Sequence, residues 1–143
     1  MRHIHKMLYI NGHDTQIDEQ IYDHIKWFNE NGYETGESCQ GRKIRRGEIS
    51  QLYIVFIRLN KKQKRILSKT CKKLNIELQP AYLSILYYPP GTNKLSIMNK
   101  CIGMRISIEG EENRVQLLNN VITQLEYLQL NNSSNKFKTI KKL

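Results

Sequence analysis

The segment 51–58, Gln-Leu-Tyr-Ile-Val-Phe-Ile-Arg, constrains the fold more than any other stretch of this chain. It is short, β-branched and aromatic, and apolar at both odd and even positions. A strand with those properties is covered on both faces and belongs in the middle of a sheet. Whatever flanks it must then supply the cover.

Amphipathic helices lie on either side. Upstream, Asp14 or Thr15 caps a helix expected from about residue 16 to residue 30, with Asp18 and Glu19 at the positive end of its dipole and Ile17, Ile21, Ile25 and Phe28 on one stripe. Asn31-Gly32 stops it. Downstream, Asn60 and Gln63 form a capping box that opens a helix over 61–74; its apolar side is Ile66 or Leu67, Cys71 and Leu74, and seven Lys and Arg side chains face water. Cys71 sits on the stripe and reads as a small core residue.

The remaining strands are more fragmentary. Residues 3–10 alternate weakly into the Asn11-Gly12 turn, Tyr33-Glu34-Thr35 begins another strand, and 76–78 and 81–88 read as two strands divided near Pro80. Two more follow at 95–98 and 100–108, where Met104, Ile106 and Ile108 alternate with Arg105 and Ser107. A last helix repeats Val115, Leu118, Val121 or Ile122, Leu125 and Leu128, and Asn131-Asn132-Ser133-Ser134-Asn135 is expected to stop it. The expected architecture is α+β: a mixed, mainly antiparallel sheet with three helices in the order β-α-β-β-α-β-β-β-α. Residues 1–130 form one domain and 131–143 a flexible basic tail.

Lysine and arginine total 23 against 13 acidic residues, a net charge of +10 that favours an anionic partner. Cys39, Cys71 and Cys101 are odd in number and unpaired in spacing, which fits a reducing compartment and neither a disulfide framework nor a structural zinc site. His3 and His5 share a strand face without a third metal ligand nearby. No signal peptide and no run of membrane-spanning length is read, so the expected location is cytoplasmic.

Function concentrates in the joint at 29–46. Gly32, Gly36 and Gly41 free the backbone there, and Arg42, Lys43, Arg45 and Arg46 bring positive charge beside its amides, a composition suited to an anion. Tyr82, Tyr87 and Tyr88, next to the rigid turn Pro89-Pro90-Gly91-Thr92-Asn93, offer rings for stacking, or alternatively a core or subunit interface. The candidate ligand-binding residues are Ser38, Cys39, Gly41, Arg42, Arg58, Tyr82, Asn93 and Arg105. No Walker loop, dinucleotide fingerprint or catalytic carboxylate pair accompanies them, and Cys39 has no base placed beside it by sequence. This is a binding inventory with no cofactor implied.

The pattern Asn29-x-x-Gly32-Tyr33-x-Thr35, then Ser38-Cys39-x-Gly41, then the apolar strand, resembles the N-terminal part of the phage Thoeris anti-defence family of nucleotide sponges. It covers about a third of the chain, residues 17–58. That resemblance implies a non-enzymatic homo-oligomer, dimer or higher, that sequesters a cyclic ADP-ribose isomer or cyclic oligonucleotide immune signal in the host cytoplasm. The same stretch is also similar to the wybutosine-pathway tRNA methyltransferase family, which has a Ser-Ser-Cys-Ser-Gly loop. Here the loop is Glu37-Ser38-Cys39-Gln40-Gly41, without the paired serine or the serine after cysteine. RNA or tRNA binding, or the methyl transfer of tRNA modification that the second resemblance implies, is the alternative function.

Overall fold

A computed structural model of the chain describes residues 4–41, 51–109 and 113–141, with side chains as far as residue 130. Its first element is a hairpin, β1 (His5–Ile10) and β2 (His13–Asp18). Asn11 and Gly12 both adopt positive φ, 55° and 84°, between the paired residues Ile10 and His13. That two-residue turn matches strand twist and sends the chain straight back as a strand. Asp14 and Thr15 are therefore strand residues and not a helix cap. The expected helix start near residue 16 is corrected to a 3₁₀ turn at Glu19–Ile21 followed by α1 (Tyr22–Glu30).

Then come β3 (Thr35–Cys39), β4 (Gln51–Ile57), α2 (Lys61–Leu74), β5 (Glu77–Tyr87), β6 (Ser96–Glu109) and α3 (Arg114–Lys141). The order is β-β-α-β-β-α-β-β-α, an α+β fold in which every strand pairing is antiparallel. The second sheet runs β3-β4-β6-β5, so the apolar strand is internal as its composition requires. The capping box of α2 is formed: the Gln63 amide donates to Asn60 Oδ1 at 2.8 Å and the Asn60 amide to Gln63 Oε1 at 3.0 Å.

Three boundaries differ from the sequence expectation. Pro80 does not divide β5, because β5 is an edge strand and a missing N–H on its free side breaks no ladder bond. Likewise β6 is one continuous strand. The backbone of α3 runs through 131–135, where a stop was expected, to Lys141.

The core lies on one side of the sheet. Leu52, Ile54 and Phe56 of β4 and Ile106 and Ile108 of β6 meet Ile25 and Phe28 of α1, Leu67 and Cys71 of α2, and Leu118, Val121 and Leu125 of α3, all nearly fully buried. Phe28 packs edge-on against Phe56 with centroids 5.0 Å apart. Burial also pushes the Cys71 thiol up to about 11, in keeping with a core role.

The motif at 29–35 ties α1 to β3. Asn29 Nδ2 donates to Thr35 Oγ1 at 3.0 Å, the Thr35 amide donates to Asn29 Oδ1 at 3.1 Å, and Gly32, at φ 87°, lets Tyr33 turn into the core.

β4 pairs with β6 from Gln51↔Glu109 to Ile57↔Gly103 and no further. At that limit the backbones approach so closely that a Cβ on Gly103 would overlap the Phe56 carbonyl. Gly103→Ala should therefore lower unfolding free energy by about 1–3 kcal/mol in urea titration, since the strand must shift to admit the methyl group.

Candidate functional site

Strand alternation assigns the second face of the sheet. Opposite the core face, β4 presents Tyr53, Val55 and Ile57, paired with Ser107, Arg105 and Gly103 of β6; Cys39 of β3 pairs with Tyr53, and Gln79 and Glu77 of β5 pair with Arg105 and Ser107. None of these joins the main apolar cluster, although Val55 and Ser107 are themselves buried. At its centre the Arg105 guanidinium stacks 4.2 Å from the centroid of the Tyr53 ring and donates from Nε to Ser107 Oγ at 3.2 Å. Tyr53 in turn donates its hydroxyl to Glu37 Oε1 at 2.8 Å.

Each contact constrains the next. Ser107 holds the guanidinium at Nε, the Tyr53 ring lies beneath it, and Glu37 holds the phenol. Partial burial and the neighbouring carboxylate raise the phenol from its ordinary 10 to about 12, with the Cys39 thiol adding and Arg105 opposing. The result is a planar cation held over a half-buried ring, with the exposed Glu37, Glu77 and Gln79 on neighbouring positions. It offers stacking, anion pairing and hydrogen-bond acceptors within one patch.

The segment at 38–41 plays a different part from the one its composition implied. The Gln40 amide donates to Asp18 Oδ2 at 2.8 Å, the Gly41 amide points at Cys39 Sγ at 3.4 Å, and the Gln20 amide donates to Gln40 Oε1 at 3.1 Å. Asp18 is buried, and His5 Nε2 lies 2.9 Å from its other oxygen. The anion that meets the Gln40 amide is thus internal. Gly41, at φ 85°, also carries no Cβ where the buried Arg114 guanidinium passes.

Sequence reasoning missed Asp18 and Arg114 as partners of this loop. Asp18 was read as a helix-start carboxylate, and Arg114 opens an otherwise apolar repeat; contacts from such distant parts of the chain leave no local signal. Tyr53 was read only as part of an apolar strand. Its place beside Arg105 follows once the β4–β6 register is known.

Of the candidate residues, Cys39 and Arg105 are brought together on either side of Tyr53, and Gly41 follows at the end of β3; Ser38 pairs with Ile54 and so belongs to the opposite, core-facing side of the sheet. Arg58, at φ 54°, ends β4 and pairs with Glu34 Oε2 at 2.7 Å, three residues from Val55 and so roughly 10 Å along the strand from Arg105. Tyr82 and Asn93 stand apart, on the projecting part of β5 and in the turn beyond it. Arg42 lies outside the described residues.

Among the described residues no three His, Cys, Asp or Glu side chains are grouped to hold a metal ion, and no helix is long and apolar enough to cross a membrane. Comparison with protein-family models, with curated proteins and with solved structures finds no match to the chain.

The raised Tyr53 pKa has a defined pH signature. The folded state keeps a proton that the unfolded chain releases above pH 10, so this stability is fully present below 10 and is lost as pH rises through about 12. Chemical unfolding followed over that window should show a shallower loss for Tyr53→Phe than for the natural chain.

Proposed function

We propose that the protein binds a nucleotide without transforming it, using the sheet face around Arg105, and that it acts by sequestering a cyclic ADP-ribose-type or cyclic-nucleotide signal. The observation that carries this is the Arg105–Tyr53 stack. A guanidinium already held over a ring can accept a base on its other side, and its terminal nitrogens remain for phosphate while Nε is held by Ser107. Glu37 and Glu77 add acceptors suited to ribose hydroxyls or exocyclic amines.

Every group on this patch makes contacts, and tight capture with slow release is all that sequestration needs. Nanomolar affinity corresponds to about 12 kcal/mol, towards which each charge-assisted bond contributes about 1.5–3 kcal/mol, so several must act together with a stacked ring. The resemblance of residues 17–58 to the nucleotide sponges and the charge of +10 point the same way. In this reading the motif's Asn29, Gly32, Tyr33 and Thr35 build the scaffold, and the ligand contacts come from β4 and β6.

RNA binding is the second reading, favoured by one specific observation. A four-stranded sheet with helices on one side and planar groups on the other is a surface on which single-stranded RNA stacks. The lysines of α2, however, face away from that surface, because Ile66, Leu67 and Cys71 turn the helix's other side into the core. The patch itself carries acidic as well as basic groups, which suits a small ligand better than a polyanionic strand.

Calorimetry with cyclic ADP-ribose isomers and cyclic oligonucleotides tests the proposal, with chromatography of the ligand released by heat. One of these ligands should bind and return intact. Arg105→Ala should weaken its affinity at least about tenfold, as should Arg105→Lys, which keeps the charge and loses the plane. Asn93→Ala, far out in the β5–β6 turn, should leave affinity unchanged. Altered ligand would identify an enzyme, and RNA binding with a steep salt dependence would favour the second reading.

A further inference from the structure

The helix α2 carries a charge pattern that its packing does not use. Eight of its residues are exposed; seven of these are Lys or Arg, and the eighth is Ser68. The helix contains no acidic residue. Among the described residues none of the seven cations forms an ion pair. Lys73 Nζ donates to Gln124 Oε1 of α3 at 3.2 Å, a neutral partner that leaves its charge uncompensated.

The fold sorts these charges onto one side. Ile66, Leu67, Thr70 and Cys71 are buried, which fixes the rotation of α2 about its axis. At about 100° per residue, Lys61, Lys62, Arg65, Lys69, Lys72 and Lys73 then fall within roughly a third of the circumference, away from the core. About 18 Å of axis separates the first from the last, so the stripe carries one positive charge per ~3 Å. One strand of a nucleic-acid duplex carries one phosphate per about 3.4 Å of axis. The stripe is costly to the helix itself. Lys61 with Arg65, Arg65 with Lys69 and Lys69 with Lys73 stand one turn apart and repel, where alternating Glu and Lys would attract. A face that had only to be wet would be better served by mixed signs.

We infer that the exposed face of α2 is a second binding surface, one that takes the phosphate backbone of double-stranded nucleic acid without reading its sequence. Charge complementarity selects the class of partner, and what the face lacks narrows it. α2 exposes no ring on which an unpaired base could stack, so a single strand gains nothing there beyond its phosphates. Nor does it expose an apolar side chain to insert among lipid tails, because Ile66, Leu67 and Cys71 are committed to the core. All but one of the seven cations are lysines, mobile point charges that follow phosphates without the bidentate contacts by which arginine reads guanine. The surface lies on the helix side of the sheet, opposite Arg105, and so is separate both from nucleotide capture and from RNA stacked on the sheet.

Fluorescence anisotropy with labelled duplexes of mixed sequence, one DNA and one RNA, tests the inference. Affinity should fall about a thousandfold between 50 and 200 mM salt, the loss expected when about six phosphates are neutralised. Binding of either duplex supports the shared phosphate chemistry, and the two arms show which one the surface favours. The triple variant Arg65→Gln, Lys69→Gln and Lys72→Gln should flatten the slope of log affinity against log salt by about 2.7. Its circular-dichroism spectrum should be unchanged, since glutamine suits an exposed helix position. The lysines at 136–142 remain in that variant, so the flattening assigns the lost contacts to α2. If the triple variant does not fold, Lys69→Gln alone should flatten the slope by about 0.9.

A natural chain that binds no duplex at low salt, or a folded triple variant that keeps the natural slope, would overturn the inference. So would duplex binding that is lost in Arg105→Ala yet kept in the triple variant, or binding to phosphatidylserine vesicles in place of duplex. The triple variant should retain its nucleotide affinity, so failure here and failure of nucleotide capture are read separately.

Discussion

The packing of helices on one face only of β4 is the constraint on which the rest of this structure depends. Leu52, Ile54 and Phe56 commit one face of the strand to α1, α2 and α3, and the single core that results leaves Tyr53, Val55 and Ile57 on the other face to find cover from their own sheet. Cover for Tyr53 comes from the Arg105 guanidinium, which lies on the ring as a methylene stem or aromatic edge would elsewhere. The same contact that covers the Tyr53 ring therefore also holds a cation in place, and the proposed binding site rests on that one packing contact.

Around that decision the chain satisfies its polar groups internally wherever it can. Asn29 serves Thr35 as both donor and acceptor, Asp18 receives the Gln40 amide, and Gln63 both caps α2 and reaches the Gly32 carbonyl at 2.6 Å. These bonds join α1 to β3, β2 to the end of β3, and α2 to the end of α1. A glycine-rich segment that looked free to grip an external anion is held in place by a carboxylate of its own chain. The terminal nitrogens of Arg105 are thus better candidates for an external phosphate than the Gln40 amide.

Much of the fold was legible because its signals are local. The apolar run at 51–57 announced an internal strand, and Asn60 with Gln63 announced the start of α2, since both depend on neighbours in sequence. The β1–β2 hairpin was half legible: Asn11-Gly12 marked the turn, but polar β2 offered carboxylates that also suit a helix start, and the left-handed pair at 11 and 12 decided between them. Pro80 misled because its effect depends on whether the strand is at an edge, a property of the sheet. The side on which Arg105 lies followed from alternation alone. Its partner Tyr53 required the β4–β6 register, and the contacts of Asp18 and Arg114 with the 38–41 segment required the whole fold.

The central claim is that the ligand sits on the sheet face marked by the Arg105–Tyr53 stack. Amide and guanidinium chemical-shift mapping during titration with a bound nucleotide tests it most directly. The account predicts the largest shifts at Cys39, Tyr53, Gln79, Arg105 and Ser107, with the α2 amides and lysines unmoved. Shifts confined to α2 or to the β5–β6 turn, with the Arg105 guanidinium signals unchanged, would contradict it.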